Sequence, residues 1–207
     1  MDNDHFLEYH FLFDNLQLYL YIFCLLKNSK DLEIKPIKLY PTKNKVNKLN
    51  KIELDKLESK EELFECKFNL SKKSKYSDEE IEREKKYLLK NSLFDEKLIL
   101  KKGCQVMCIS NLDLNKGICN GSTGKVIDFI DGKPKVKFYN NQEIVIESQV
   151  WKSEKIPELS VEQVPLILAW AVTIHKSQGA TLDIAEIDVG NSVFTTGQTY
   201  VALSRVK

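Results

Sequence analysis

Residues 164–170 read VPLILAW, seven positions without a charge, and two residues later the chain turns to the donor-rich stretch TIHKSQGATL. An apolar run this short and continuous is what a strand buried on both faces needs. Such a strand has to be covered on each side, which restricts the chain to a layered α/β architecture. The flanking pattern agrees. Ile184, Ile187 and Val189 mark a further strand within 183–189, and Thr195 or Thr196 can cap a last helix through Leu203. The natural partner for these strands is IKPIKLYPT at 34–42, a short strand that stops at Pro41. Thr42 then caps a helix to about Leu57, with Val46, Leu49, Leu54 and Leu57 on one side. The expected class is therefore α/β with a parallel sheet.

A different pattern begins at Leu98. QVMCI, STGKVIDFI, PKVKFY and EIVIES alternate in hydrophobicity and are separated by turn signals at Asn120-Gly121, Asp131-Gly132 and Asn140-Asn141. Short strands about ten residues apart predict a small antiparallel barrel near 101–160, inserted within the α/β layer. Gly121-Ser122-Thr123-Gly124-Lys125 is not a phosphate-binding P-loop. That pattern needs a glycine where Cys119 stands and a hydroxyl residue where Val126 stands, so a hairpin turn is the expectation. The division that follows is 1–30, an apolar helical segment; 31–100, the first part of the α/β domain with a charged helical stretch; 101–160, the barrel; and 161–207, the second part of the α/β domain.

The apolar run Leu16–Leu26 reaches about half the length of a membrane-spanning helix, and acids rather than a basic segment precede it. It reads as a buried or partner-facing helix ending near Lys27–Asn28, with His5 and His10 on its surface. Ser77 and Glu80 form a capping box for a helix near 78–90, where Glu79 with Arg83 and Glu82 with Lys86 have surface-pair spacing. The five cysteines are odd in number, irregularly spaced and preceded by no signal peptide, which argues for reduced thiols inside the cell. Cys104, Cys108, Cys119 and His175 lack a CxxC knuckle, so no metal site is expected and buried thiols are.

Net charge is +1, so no global field attracts a polyanion. Locally, Lys35, Lys38, Lys43, Lys45, Lys48 and Lys51 fall in a window free of acids, either a basic patch or a solvated helix face. The candidate site is elsewhere. Thr173, His175, Lys176, Ser177 and Gln178 cluster donors beside Gly179 at the end of the buried strand, where α/β sheets bind ligands. Donors in that excess suit phosphate or a nucleic-acid backbone. The N–H groups at Thr42-Lys43-Asn44 offer a second anion-binding end. Arg205, one of two arginines, comes at the end of the next βα unit, and a guanidinium forks onto phosphate as an ammonium cannot.

PLILAWAVTIHKSQGATLD and GQTYVALSR resemble motifs V and VI of superfamily 1 helicases, specifically the PIF-type 5′-to-3′ DNA helicases. LYPTKNKVNKLN is similar to their motif IV region, and LKKGCQVMCISNLDLNKGICNGSTGKVIDF to the stretch entering their small Src-homology-3-like insert, domain 2B. The resemblance covers roughly 34–57 and 98–206, and implies a RecA-like domain 2A carrying the 2B barrel. It implies that Thr42, Lys43, Thr173, His175, Lys176 and Ser177 contact single-stranded DNA, and that Gln178, Gly179, Gln198 and Tyr200 serve the nucleotide site. Arg205 would be the arginine finger. ATP and Mg2+ belong to the complete enzyme and are not expected on this half alone, because no GxxxxGK[ST] occurs in the chain. The expected partners are single-stranded DNA and a first RecA-like half, in the same gene or on another chain; no membrane is expected. The processes implied are DNA repair, recombination or telomere maintenance, in the nucleus or mitochondrion or in a virus. A stand-alone single-stranded DNA-binding remnant without ATPase activity, or a gene fragment without function, is the alternative expectation.

Overall fold

The computed structural model describes residues 7–14, 17–24, 34–71, 75–182, 184–188 and 204; for 7–14, 17–24, 184 and 188 it describes the backbone alone. In chain order the elements are β1 (Leu7–Asp14), β2 (Gln17–Cys24), β3 (Ile37–Tyr40), α1 (Lys43–Asp55), β4 (Glu61–Glu65), β5 (Lys67–Leu70) and α2 (Asp78–Asn91). There follow β6 (Lys97–Lys101), β7 (Gln105–Cys108), β8 (Thr123–Ile130), β9 (Lys133–Phe138), β10 (Glu143–Val145), β11 (Gln149–Lys152) and β12 (Leu159–Gln163). The last strands are β13 (Leu166–Leu168), β14 (Ala171–Thr173) and β15 (Ile184–Asp188).

The α/β layer is a five-stranded sheet in the order β1-β2-β15-β3-β14. β3 pairs in parallel with β14 on one side and β15 on the other. Ile37 and Leu39 on β3, Val172 on β14 and Ala185 and Ile187 on β15 are buried in one cluster with Phe94, Ile109, Ile174 and Ala180. Each large apolar side chain so buried contributes on the order of 1.5–3 kcal/mol. Helix α1 lays Val46 and Leu54 inward, and its Asn50 is buried too. The Asn50 amide donates to the Ala171 carbonyl at 2.9 Å and accepts from the Ala171 N–H at 2.8 Å. One side chain thereby does for the end strand of the sheet what another strand would do.

A second five-stranded sheet, all antiparallel, runs β10-β9-β8-β7-β13. Its interior holds Cys104, Val106, Cys108, Ile118, Val126, Val136, Phe138 and Leu166. The β8–β9 reversal at Asp131-Gly132 has both residues at positive φ, +50° and +73°, as the Asp-Gly signal predicts. Asn141 follows suit at +63° before β10. Smaller sheets, β11-β12-β5 and β4-β6, complete the structure.

Five expectations are corrected. The run VPLILAW is not one strand. Leu166–Leu168 pairs with β7 in the antiparallel sheet, and the chain crosses at Ala169-Trp170 so that Ala171–Thr173, not VPLILAW, becomes the partner of β3. Gln105, fully buried, holds this crossing: its amide donates to the Lys35 and Ala169 carbonyls at 2.9 and 2.8 Å, and it accepts from the Lys35 N–H. The helix expected over 6–26 is a pair of antiparallel strands, in register from Leu7↔Cys24 to Asp14↔Gln17. Tyr, Phe and Ile favour extended backbone, and the added sheet pairing with β15 outweighs the helix reading of an apolar run. The charged stretch 58–100 carries strands β4, β5 and β6 besides the capped helix α2; β4 and β6 alternate exposed with more buried positions, a period hidden by their lysines and glutamates. Asn120-Gly121 is not the hairpin tip. Gly121 and Ser122 pair back onto Cys108, and the reversal lies within Asp113–Ile118. Finally, Glu82 pairs with Lys85 rather than Lys86.

The capping box of α2 is present: Ser77 Oγ accepts from the Glu80 N–H, and the Glu80 carboxylate accepts from the Ser77 N–H. That backbone hydrogen bond, with the Ser77 hydroxyl, holds the Glu80 carboxyl below its ordinary value. The helix expected from Thr195 or Thr196 to Leu203 lies outside the described residues.

Candidate nucleic-acid interface

The parallel register sets Thr173 opposite Tyr40, and the Ile174 N–H donates to the Tyr40 carbonyl at 3.0 Å. Both strands end at the same edge of the sheet. From β3 the chain passes through Pro41 and Thr42 into α1; from β14 it enters a turn over 174–179. The positive end of the α1 dipole and the donor-rich turn therefore share one edge. The first turn of α1 contains no acid, and Lys43 there is exposed. Thr42 occupies the N-cap in extended conformation, without the side-chain capping hydrogen bond its identity suggested.

The turn is held by its own polar groups. Thr173, buried, accepts the Lys176 N–H on Oγ1 at 3.2 Å, and Ser177 donates its hydroxyl to the Ile174 carbonyl at 2.8 Å. Backbone bonds run from Ser177 N–H to Thr173 and from Ala180 N–H to Ser177. Gly179, at φ +77°, lets the chain leave the turn. Ser177 is fully buried, so its hydroxyl shapes the turn from beneath instead of facing outward as a phosphate contact would. Lys176 lies against Asp95, Nζ to Oδ1 2.8 Å. His175, Gln178 and Gly179 are the exposed residues of the turn. Gln198, Tyr200 and Arg205 lie outside the described residues; among the described ones the structure brings together Thr42, Lys43, Thr173, His175, Lys176, Ser177, Gln178 and Gly179.

Other residues complete the site without having drawn attention in the sequence. The Asn120 carbonyl accepts from the Thr181 N–H at 3.4 Å. Gly121 packs so closely on the chain leaving the turn that a Cβ there would lie 2.5 Å from the Thr181 carbonyl oxygen. The 109–122 connection of the antiparallel sheet thus backs the turn directly. Asp95 sits after buried Phe94, and its carbonyl accepts from the Gln163 amide at 3.0 Å. The only signal for Gly121 was its Asn-Gly pair, which reads as a hairpin; for Asp95 there was none.

The lysine window is partly neutralised across the fold. Lys35 pairs with Glu53 at 2.8 Å and Lys38 with Glu186 at 3.3 Å. Hydrogen bonds from Lys35 and Lys56 hold the Glu53 carboxyl below its ordinary value. Cys104 and Cys108 are buried, and burial pushes the Cys104 thiol up to about 12 and that of Cys108 further in the same direction. Among the described residues no three metal-ligating side chains gather, and no helix is long and apolar enough to cross a membrane.

Residues 85–129 match the family described as the 2B domain of the DNA helicase Pif1. The chain is similar to Pif1 DNA helicases. The ATP-dependent DNA helicase PIF1 of Danio rerio is 47% identical over 115 residues, covering 53% of this chain and 18% of that protein. The crystallised Pif1 helicase of Candida albicans superposes with a TM-score of 0.64 at 32% identity, over 86% of this chain and 45% of that one. Bacteroides Pif1 bound to single-stranded DNA gives 0.56 at 29% identity, over 86% and 40%. This chain thus spans less than half of each of these Pif1 proteins, and what it resembles is their C-terminal half.

Proposed function

We propose that this chain acts as the second RecA-like half, domain 2A with its inserted 2B barrel, of a Pif1-type ATP-dependent DNA helicase serving repair, recombination or telomere maintenance. The observation that carries the reading is the shared edge: the parallel pairing of Thr173 with Tyr40 brings the start of α1 beside the turn that holds His175. Single-stranded DNA would lie across this edge. Lys43 and the first-turn N–H groups of α1 would take one phosphate, and His175 would take a neighbouring one. Lys176 would join them on release from Asp95, while Thr173 and Ser177 set the shape of the turn. The strands within 101–160 would make up the Src-homology-3-like insert, which supports the turn through Asn120 and Gly121.

ATP and Mg2+ would bind between this half and the first RecA-like half, which supplies the Walker lysine and the metal-holding acids. From this side Gln178 and Gly179 would link the DNA edge to the nucleotide, with Gln198 and Tyr200 beside it. Arg205 would place its guanidinium against charge developing on the transferred phosphate. Closing the two halves would then shift the DNA contacts along the strand.

The test is fluorescence anisotropy of a labelled single-stranded oligonucleotide at low and moderate salt. Binding should weaken with salt and be indifferent to sequence. His175→Ala with Lys43→Ala should weaken it by about tenfold or more, two charge-assisted or hydrogen-bonded contacts being lost. Equal affinity of the double variant and the parent would refute the reading.

A further inference from the structure

We propose that Asp95 is a built-in competitor for the nucleic-acid backbone: it holds Lys176 in an ion pair that a DNA phosphate must displace. The inference rests on the single-stranded DNA reading of the same turn and adds a regulatory contact to it.

The ammonium of Lys176 stands 2.8 Å from Asp95 Oδ1, with the lysine side chain 16% exposed and the aspartate 50%. The two residues are 81 positions apart, so the pair is a tertiary contact and not a local one. The carboxylate has a fixed base. Phe94 before it is buried and packs on Trp151 at 5.0 Å between ring centroids, the Asp95 carbonyl accepts from Gln163, and the Glu96 carbonyl after it accepts from the Cys66 N–H at 2.9 Å. Lys176 has a long, adaptable stem, and its own backbone is held by Thr173. The carboxylate therefore stands on a held backbone, and the lysine stem gives the ammonium the reach to change partner.

Carboxylate and phosphate are alternative acceptors for that ammonium. Lys176 lies between His175 and Ser177, in the turn whose exposed residues would meet the strand. With Asp95 present, DNA gains the Lys176 contact only by giving up an existing ion pair, and the net gain is small. Without the carboxylate charge, the same lysine becomes a full phosphate contact.

Asp95→Asn removes the charge and preserves shape and an acceptor oxygen, so the turn should stay folded; equal thermal midpoints of variant and parent check this. Anisotropy with the labelled single strand, titrated across salt concentrations, should show Asp95→Asn binding about two- to fivefold tighter at low salt. The slope of log affinity against log salt should steepen by about 0.7, the value of one further phosphate contact on a single strand. Lys176→Met should abolish both gains. Unchanged affinity and slope in Asp95→Asn, or weaker binding, overturns the proposal. So does a gain that persists in the Lys176→Met background, which would be plain repulsion between Asp95 and the strand. If the parent binds and His175→Ala weakens it while Asp95→Asn changes nothing, only the competitor role falls. If neither parent nor Asp95→Asn binds in a salt-dependent way, the DNA reading of the turn falls and takes this proposal with it.

Discussion

Replacing Asn50 with leucine tests the account of how helix and sheet are joined. Asn50 is 8% exposed, and its amide group makes two hydrogen bonds, at 2.8 and 2.9 Å, to the N–H and carbonyl of fully buried Ala171. Leucine has nearly the same shape, so no cavity opens for water to take over. Both Ala171 groups then lose their partner, at about 1–3 kcal/mol each. Burying an apolar side chain where an amide stood, and the higher helix propensity of leucine, return roughly 1–2 kcal/mol. At the middle of these ranges the expected net loss is about 2.5 kcal/mol, a large share of the 5–15 kcal/mol on which folded domains of this kind typically rest. Urea unfolding followed by circular dichroism measures it, through a lower midpoint at unchanged slope. Asn47→Leu, on the exposed side of the same helix, is the control and should stay within about 0.5 kcal/mol of the parent. A loss below about 1 kcal/mol for Asn50→Leu, after correction by that control, would mean that the Asn50 bridge does not hold the end of the sheet.

Gly121→Ala combines a φ of +97° with a Cβ 2.5 Å from the Thr181 carbonyl oxygen. It should lower stability by about 2–4 kcal/mol, and a melting temperature equal to the parent's would contradict the close approach. Cys104 supplies a pH test. Its thiol rises from an ordinary 9.0 to about 12 on burial, so the unfolded chain gives up this proton at lower pH than the folded one does. The stability tied to this thiol is whole below about pH 9 and is lost as pH rises from there towards 12, at about 1.4 kcal/mol per pH unit, with Cys108 adding a decline of the same sign. Cys104→Ala should flatten that decline in urea titrations; an unchanged slope would refute the assignment. At neutral pH a thiol reagent should leave Cys104 and Cys108 unmodified in the folded protein.

Where a pattern was local, the sequence carried it plainly. Ser77 and Glu80 signalled the start of α2 because both capping bonds lie within one turn. Asp131-Gly132 signalled the β8–β9 reversal because that backbone needs two positive φ angles. The exposed residues of the turn were legible as a donor cluster, but the strand that carries it is Ala171–Thr173 and not the apolar run from which its place was read. The crossing at Ala169-Trp170 was not legible, because an apolar run looks the same whether it serves one sheet or passes between two. The strands of 61–101 were masked by lysine and glutamate on their exposed faces. Ser177 looked like a surface donor and is a buried brace, since nothing in its own neighbourhood announces that the Ile174 carbonyl would take its proton. Asp95 was invisible for a simpler reason: its partner is 81 residues away.

The step from β13 to β14 sets a limit on how chains built this way can diverge. Leu168 is registered against Val106 in one sheet and Ala171 against Lys38 in the other, and just two residues lie between. Inserting one residue there would invert the facing of every side chain on one strand or the other. The 109–122 connection has no such double bookkeeping along most of its length, its tip at Leu114 being exposed. Length variation among proteins of this build should therefore collect in that loop and spare the two-residue crossing, which works as a fixed ruler between the sheets.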